Sequence, residues 1–214
     1  AELGLEALAL TDRDGLYGIV RAHVVARDLG IKLIVGAEMT VAAAGPLLLL
    51  APDLEAYGDL CELITLGRRS APKGQSLVGV DDVLAASARL LAVTLGPVDE
   101  SRLPDLKDGF GDRLYLGVGR HLEEGEEALL SATVDRGRRH GLPLVVANDV
   151  VMHCAERKAL HDVLGCIRRG DVLQQAGQRL GANAERRLHA PQDMAARFAD
   201  LPEALGRSRE IAER

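Results

Sequence analysis

Aromatic residues are scarce in this sequence. Phe, Trp and Tyr together make up 2% of the 214 residues, and there is no Trp. Proteins that bind single-stranded nucleic acid stack its bases on aromatic side chains, so the composition argues against such a platform. The 47% of apolar residues still predicts a globular core of Leu, Val, Ala and Ile. The length allows one large domain or two small ones.

Cysteine and long apolar runs are also scarce. The three cysteines (Cys61, Cys154 and Cys166) form no C-x-x-C pair, so the sequence predicts neither a disulfide framework nor a zinc knuckle, and a reducing cytoplasm suits it best. The longest apolar run, residues 46–52, is too short to cross a membrane. No signal peptide is visible. We expect a cytoplasmic protein without a membrane partner, and its helical ends suggest a piece of a longer chain.

The negative charge is unevenly distributed. The net charge of −6 argues against a surface that is wholly a nucleic-acid groove. Residues 155–189 nevertheless carry seven Lys and Arg against four Asp and Glu, a local excess of three positive charges. This region is either a solvated mixed surface or a weak patch facing phosphate. On the second interpretation, the residues nearest DNA would be Arg168, Arg169, Arg186 and Arg187.

Strands and helices alternate over the first 150 residues. Apolar runs predict strands at 7–11, 32–36, 46–51, 90–95, 113–119 and 143–147. Helical spacing predicts helices at 16–29, 53–69, 80–88 and 123–140, with a loop at 96–112. Later segments have only helical patterns. This order predicts an α/β fold with parallel strands and a helical tail, and both an open sheet and a barrel satisfy it.

Acidic residues follow three of these strands. Asp12 and Asp14 follow the first strand, Glu38 the second and Asp149 the last. Parallel α/β folds place their sites at the carboxyl ends of the strands, so these side chains would share one face and could ligate a metal ion. Asp12 and Asp14 could instead be turn and helix-cap residues. Glu38, just past an apolar strand, is costly unless it is paired or liganded.

Histidines would have to complete a hydrolytic metal site. His121 closely follows a predicted strand, and His153 lies four residues past Asp149, so both could reach this face. Arg13, however, places a fixed positive charge beside Asp12, where a cation would lie. The residues therefore describe an incomplete metal site.

Several longer segments resemble one known family. LGLEALALTDRDGLYGIVRA, LGIKLIVGAEM, RLYLGVGRHL, PLVVANDVVMH and ERKALHDVLGCIRRG are similar to segments of the polymerase-and-histidinol-phosphatase (PHP) domain at the N-terminus of bacterial C-family DNA polymerases. The similarity covers essentially the whole chain. It is greatest to the error-prone polymerase branch.

The resemblance implies a distorted, TIM-like (β/α)7 barrel with a metal site at the strand ends. Residues 1–154 would form this barrel, with its first strand missing upstream. Residues 155–214 would form a helical segment leading toward the polymerase domain.

The resemblance also implies which metal ligands are missing. In metal-binding members, Glu38 and Asp149 match ligands, whereas histidine ligands are replaced by Arg13, Pro46 and Val151. A cysteine ligand corresponds to a position near Pro97, and an H-x-H pair would lie upstream. His153 could substitute for the ligand missing at Val151. Two oxygen donors without imidazole make a poor cage for zinc or manganese.

The leading hypothesis is a structural, metal-depleted PHP module of an error-prone DNA-directed DNA polymerase, acting in replication and damage-tolerant synthesis. Arg13 would replace the metal by holding Glu38 and Asp149. The fragment would bind no cofactor and would not itself be catalytic, and Mg would act in the parent's polymerase domain. Its partners would be the other polymerase domains, DNA through the parent chain, and replication or lesion-bypass accessory proteins.

Two alternatives remain open from the sequence. One is an active metal-dependent phosphoesterase of the PHP family, with zinc or manganese held by Glu38 and Asp149. The other is a free-standing interaction domain whose tail, from Glu156 onward, docks a partner.

Overall fold

The computed structural model describes residues 2–214, which form one mixed sheet and eight α-helices. The strands are β1 (Ala7–Leu10), β2 (Lys32–Val41), β3 (Gly45–Ala51), β4 (Leu91–Thr94), β5 (Leu114–Val118) and β6 (Leu144–Val146). The helices are α1 (Ile19–Leu29), α2 (Leu54–Arg69), α3 (Val80–Ala85), α4 (Leu103–Phe110), α5 (Glu126–His140), α6 (Lys158–Arg169), α7 (Pro191–Arg197) and α8 (Pro202–Glu213). None of the helices in this range has the length and apolar character needed to span a membrane.

The six strands lie side by side in chain order. The prediction of parallel strands is wrong for β3, which runs antiparallel to both β2 and β4. The physical reason is the link between β2 and β3, which spans only residues 42–44. It forms a tight hairpin in which Ala43 and the first residue of β3, Gly45, have φ values of 62° and 83°. A link this short cannot cross over to a parallel strand. The other five strands share one direction, so their carboxyl ends form a common edge, here called the strand-end edge.

Three segments differ from the sequence prediction. β2 continues to Val41, so Glu38 lies inside a strand. The predicted loop 96–112 contains α4, whose apolar residues Leu103, Leu106 and Phe110 are fully buried. This spacing of three and then four residues is helical, but the surrounding Gly and Pro obscure it. β1 has the continuous apolar run that is typical of a strand covered on both faces, yet it forms an edge of the described sheet and Leu8 is 38% exposed.

Both faces of the sheet carry apolar side chains. One face contributes Ala37, Met39, Leu47 and Leu49 to a large core, and fully buried residues of α2 and α4 complete it. The opposite face contributes Leu50, Leu91, Val93, Tyr115 and Val145 to a smaller cluster, against which Ile211 of α8 packs. Residues that alternate along β2 and β3 thus point to different layers. This places Glu38, opposite Leu48 in register, on the face of the smaller cluster.

The helical tail is attached to the sheet by specific contacts. The Tyr115 hydroxyl donates a hydrogen bond to Oε1 of Glu210 at 2.8 Å. The Arg207 guanidinium donates to the carbonyl of Leu144 at 3.2 Å. Phe198 is fully buried in a cluster with Val118, Leu130 and Val146. The tail therefore completes the packing of β5 and β6.

The Tyr115 contact predicts a loss of stability at high pH. Burial, with the hydrogen bond to Glu210, raises the pKa of Tyr115 from 10.0 to about 12. The unfolded chain then releases this proton at lower pH than the folded chain does. The stabilising contribution is thus complete below pH 10 and is lost as the pH rises toward 12. Between pH 10 and pH 12 the expected loss is roughly 2 kcal/mol.

Urea unfolding at several pH values tests this prediction. Between pH 10 and pH 12 the unfolding free energy of the natural chain should fall by roughly 2 kcal/mol more than that of Tyr115→Phe. Parallel curves for the two proteins would contradict it.

Candidate functional site

The loop after β1 is held at the strand-end edge by Asp14. Its carboxylate accepts hydrogen bonds from the backbone N–H of Thr40 at 2.8 Å and from the Thr40 hydroxyl at 3.0 Å. Arg68 of α2 donates Nε and Nη2 to the Asp14 carbonyl at 3.0 and 2.7 Å. Asp14 is buried and has a φ of 49°, a region that Asp tolerates better than most residues. Asp14 therefore fastens the loop to β2.

Removing the Asp14 carboxylate should destabilise the chain. Asp14→Ala loses two hydrogen bonds and leaves the Thr40 N–H without its partner, so we expect a loss of about 2 kcal/mol in the free energy of unfolding. The control Asp14→Asn keeps one acceptor and the tolerance of positive φ, and it should lose about half as much. Urea unfolding measures both values. An Asn variant as unstable as the Ala variant would show that charge, not hydrogen bonding, holds the loop.

Arg13 and Glu38 form an ion pair beside this anchor. The Arg13 Nε and Nη2 atoms lie 2.8 and 2.6 Å from Oε1 of Glu38. The backbone brings them together, because Glu38 N–H donates to the Asp12 carbonyl at 3.1 Å and Asp14 N–H donates to the Glu38 carbonyl at 2.9 Å. The Glu38 side chain is only 15% exposed. A guanidinium thus occupies the space in front of a largely buried carboxylate.

Asp12 faces the start of the next helix. Its Oδ2 atom accepts a hydrogen bond from the Gly18 N–H, at the beginning of α1, at 3.3 Å. This contact agrees with the turn-and-cap interpretation of Asp12.

Asp149 has an arginine partner of its own. Its Oδ2 atom pairs with Nη2 of Arg186, whose Nε also donates to the Asp149 carbonyl at 3.2 Å. The expectation that Arg13 holds both carboxylates is therefore wrong, since within residues 2–214 Arg13 pairs with Glu38 and Arg186 pairs with Asp149. The reason is topological. Asp149 follows β6, and three strands separate β6 from β2 in the sheet.

His121 reaches the strand-end edge and bridges two strand ends. Its Nδ1 lies 2.9 Å from Oε1 of Glu126, and its Nε2 lies 2.8 Å from the carbonyl of Asn148, just past β6. The Glu126 carboxylate also accepts from the backbone N–H groups of His121 and Leu122. Both ring nitrogens are thus engaged within the protein. His153 is exposed in the turn before α6.

The donor set does not fit a metal ion. Within the described part of the chain, no three His, Cys, Asp or Glu side chains converge as metal ligands would. Glu38 and Asp149 each face an arginine, and His121 faces a carboxylate and a carbonyl. Zinc and manganese sites need several imidazole or carboxylate donors around one point.

The basic residues expected near phosphate are partly engaged within the chain. Arg186 pairs with Asp149, and Nε of Arg169 lies 2.8 Å from Oδ2 of Asp171. Arg187 donates to the Leu188 carbonyl at 3.4 Å, and Arg168 is exposed at the end of α6.

A small cavity lies at the strand-end edge between β4, β5, β6 and α5. His121, Glu126 and Asp149 contribute to its wall, together with the apolar residues Leu129 and Leu130. Its volume of about 160 Å³ is below the roughly 300–1,000 Å³ typical of pockets that enclose a small-molecule ligand. The cavity is thus too small to enclose a nucleotide.

Several residues of this edge were not identified from the sequence. Glu126 begins α5 and binds the preceding loop, and its place in the first helical turn was the available signal. Thr40 and Arg68 gave no local signal, because their partner Asp14 is 26 and 54 residues away. Arg186 was noted only as a basic residue, and its partner is 37 residues away.

Comparisons of the sequence with a family model and with curated proteins point to related proteins. The sequence model of the PHP domain matches residues 1–131. An error-prone DNA polymerase of Anaeromyxobacter sp. (strain K) is 45% identical over 226 residues, covering 100% of this chain and 20% of the relative. The error-prone DNA polymerase of Pseudomonas paraeruginosa is 41% identical over 216 residues, covering 100% of this chain and 21% of the relative. The chain thus spans about one-fifth of the length of these curated relatives.

A more distant similarity comes from a solved structure. A proposed metal-dependent phosphoesterase from Bifidobacterium adolescentis superposes with a TM-score of 0.47 at 15% identity, covering 69% of this chain and 78% of that one. This similarity is too weak to carry an argument about function.

Proposed function

The chain belongs to the PHP domain family, and on that premise we propose that it is the PHP module of an error-prone DNA-directed DNA polymerase with a structural role. The relatives that support this are error-prone polymerases that align with the whole chain. Residues 1–154 would form the greater part of a seven-stranded, TIM-like barrel, and residues 155–214 would lead toward the polymerase domain. DNA and replication or lesion-bypass accessory proteins would be reached through the parent chain, in the cytoplasm, with Mg acting in its polymerase domain.

One observation carries the structural role. The two carboxylates expected to ligate a metal, Glu38 and Asp149, are each neutralised by an arginine of the same chain. A guanidinium forms charge-assisted hydrogen bonds to a carboxylate and cannot lose its charge, so it provides permanently the positive charge that a metal ion would bring. Arg13 and Arg186 would thus neutralise the two carboxylates of the strand-end edge without a metal ion.

An activity assay tests this role against the phosphoesterase alternative. The 214-residue chain is incubated with an aryl phosphate ester and added Mn²⁺ or Zn²⁺, beside the matched variant Glu38→Ala. We expect no hydrolysis above that of the variant, because the carboxylates that would hold a water-activating metal are paired with arginines. Metal-dependent hydrolysis that Glu38→Ala abolishes would overturn the structural role. A primer-extension assay of the longer chain that carries this module tests the polymerase assignment separately.

A further inference from the structure

Helix α6 presents its apolar side to solvent. Leu160, Val163, Leu164 and Ile167 follow the three-and-four spacing of a single helical stripe, and their side chains are 48%, 38%, 56% and 70% exposed. Val172 and Leu173, just past the helix, are exposed to 54% and 40%. These six residues are here called the α6 apolar face. An amphipathic helix of a globular protein normally turns such a stripe toward the core.

The inward side of α6 is polar. Cys166 is 4% exposed, and beside it Nζ of Lys158 lies 2.6 Å from Oδ2 of Asp162, whose side chain is 13% exposed. The inward side of the helix thus carries a partly buried ion pair and a small buried thiol, and its larger apolar side chains lie outside. This is the reverse of the usual arrangement and costs hydrophobic free energy unless another surface covers the face.

The contacts of α6 also indicate a missing partner. Its extensive contacts within residues 2–214 are with the short turns next to it in the chain, residues 155–157 and 173–175. A 12-residue helix is marginal in water without tertiary packing. A surface that packs on the α6 apolar face would supply that packing.

The size of the face favours a tethered partner over a second copy. From Leu160 to Ile167 the helix rises about 10 Å, whereas a stable interface between separate proteins needs about 800 Å² per partner. A segment of the same polypeptide needs far less area, because the linkage provides a millimolar effective concentration. The relatives are about five times as long as this chain, so in them the matching region is covalently linked to a much longer polypeptide.

The positive charges at the ends of α6 indicate the chemistry of the partner surface. Arg157 and Arg168 lie exposed at the two ends of α6, and neither forms an ion pair within residues 2–214. We propose that the α6 apolar face docks on the polymerase portion of the longer chain, at an apolar surface bordered by carboxylates. This inference rests on the proposed function.

Cysteine labelling in the two chains tests the docking. Leu164→Cys, with Ser131→Cys on the exposed side of α5 as the control, is made in the 214-residue chain and in the longer chain. Maleimide labelling is quantified by fragment mass spectrometry, which separates position 164 from the native Cys166. We expect labelling at position 164 to be at least about tenfold slower in the longer chain, because a docked face excludes the reagent. Labelling at position 131 should change less than about twofold.

A charged variant provides the second readout. Leu164→Glu should leave the melting temperature of the 214-residue chain nearly unchanged, because the side chain faces solvent, and should lower that of the longer chain by several degrees. Equal labelling of position 164 in a longer chain that still extends primers would overturn the docking while leaving the proposed function intact. Slow labelling in a 214-residue chain that sediments as a dimer would instead assign the face to a second copy. A longer chain without polymerase activity would remove both proposals.

Discussion

Phe198→Ala should lower the free energy of unfolding by about 3–5 kcal/mol. The ring is fully buried where the tail meets the sheet, among Val118, Leu130 and Val146. Truncating it removes apolar area and leaves a cavity between elements that are far apart in sequence. The Arg120 guanidinium also lies 5.2 Å from the ring centroid, so a cation–π contact is lost as well.

The surroundings of Arg120 explain why the structure cannot relax into this cavity. Its guanidinium bonds Asp200 at 2.6 and 2.8 Å, Glu127 at 2.9 Å and the carbonyl of Arg197 at 2.7 Å. The hydrogen bond with Asp200, and then that with Glu127, raises the pKa of Arg120 above its ordinary value. This network fixes the tail on both sides of Phe198, so the space left by the ring should stay open.

Urea unfolding of Phe198→Ala and Phe198→Leu provides the measurement. The leucine variant keeps most of the apolar volume and should lose roughly 1–2 kcal/mol. If the alanine variant lost less than about 1 kcal/mol, Phe198 would not be the anchor of the tail.

Restoring the missing ligands should create metal binding. Arg13→His, Pro46→His and Val151→His together place imidazoles at the positions where the resemblance to metal-binding PHP domains implies histidine. With Glu38, the imidazoles of Arg13→His and Pro46→His provide the mixed nitrogen and oxygen donors that zinc prefers. We expect the triple variant to bind Zn²⁺ tighter than the natural chain by about two orders of magnitude or more.

The structure supports two of these three positions directly. Arg13 is already paired with Glu38, so a histidine there would face the same carboxylate. Pro46 lies opposite Thr40 in register and is therefore on the same face of the sheet as Glu38. Isothermal titration with Zn²⁺ tests the variant, and the same variant carrying Glu38→Ala is its control. Equal, weak binding by the natural chain and the triple variant would show that the arginine has not taken the place of a metal.

The sequence predicted most elements of the fold because local signals mark them. Gly30 ends α1 in a left-handed conformation, and the Asp53 carboxylate caps α2 by accepting from the Ala56 N–H at 2.8 Å. Pro191 and Pro202 begin α7 and α8. Each of these residues acts within one turn of its own position, so no tertiary information is needed to interpret it.

The reversed direction of β3 and the partners of the site required the tertiary structure. The apolar run of β3 looks the same whichever way the strand runs, because periodicity carries no direction. The pairing of Asp149 with Arg186 depends on how the segment after α6 returns to β6, where the Val151 N–H donates to the Arg186 carbonyl at 2.9 Å. In contrast, Arg13 and Glu38 could be connected from the sequence, because parallel neighbouring strands bring their ends to one edge.

The metal content of the natural chain tests the central claim most directly. The 214-residue chain would be dialysed with Zn²⁺ and then Mn²⁺, freed of unbound ions, and analysed by inductively coupled plasma mass spectrometry beside Glu38→Ala. If arginines have taken the place of the metal, both proteins should retain far less than one ion per chain. Retention of about one ion per chain that is lost in Glu38→Ala would contradict the account.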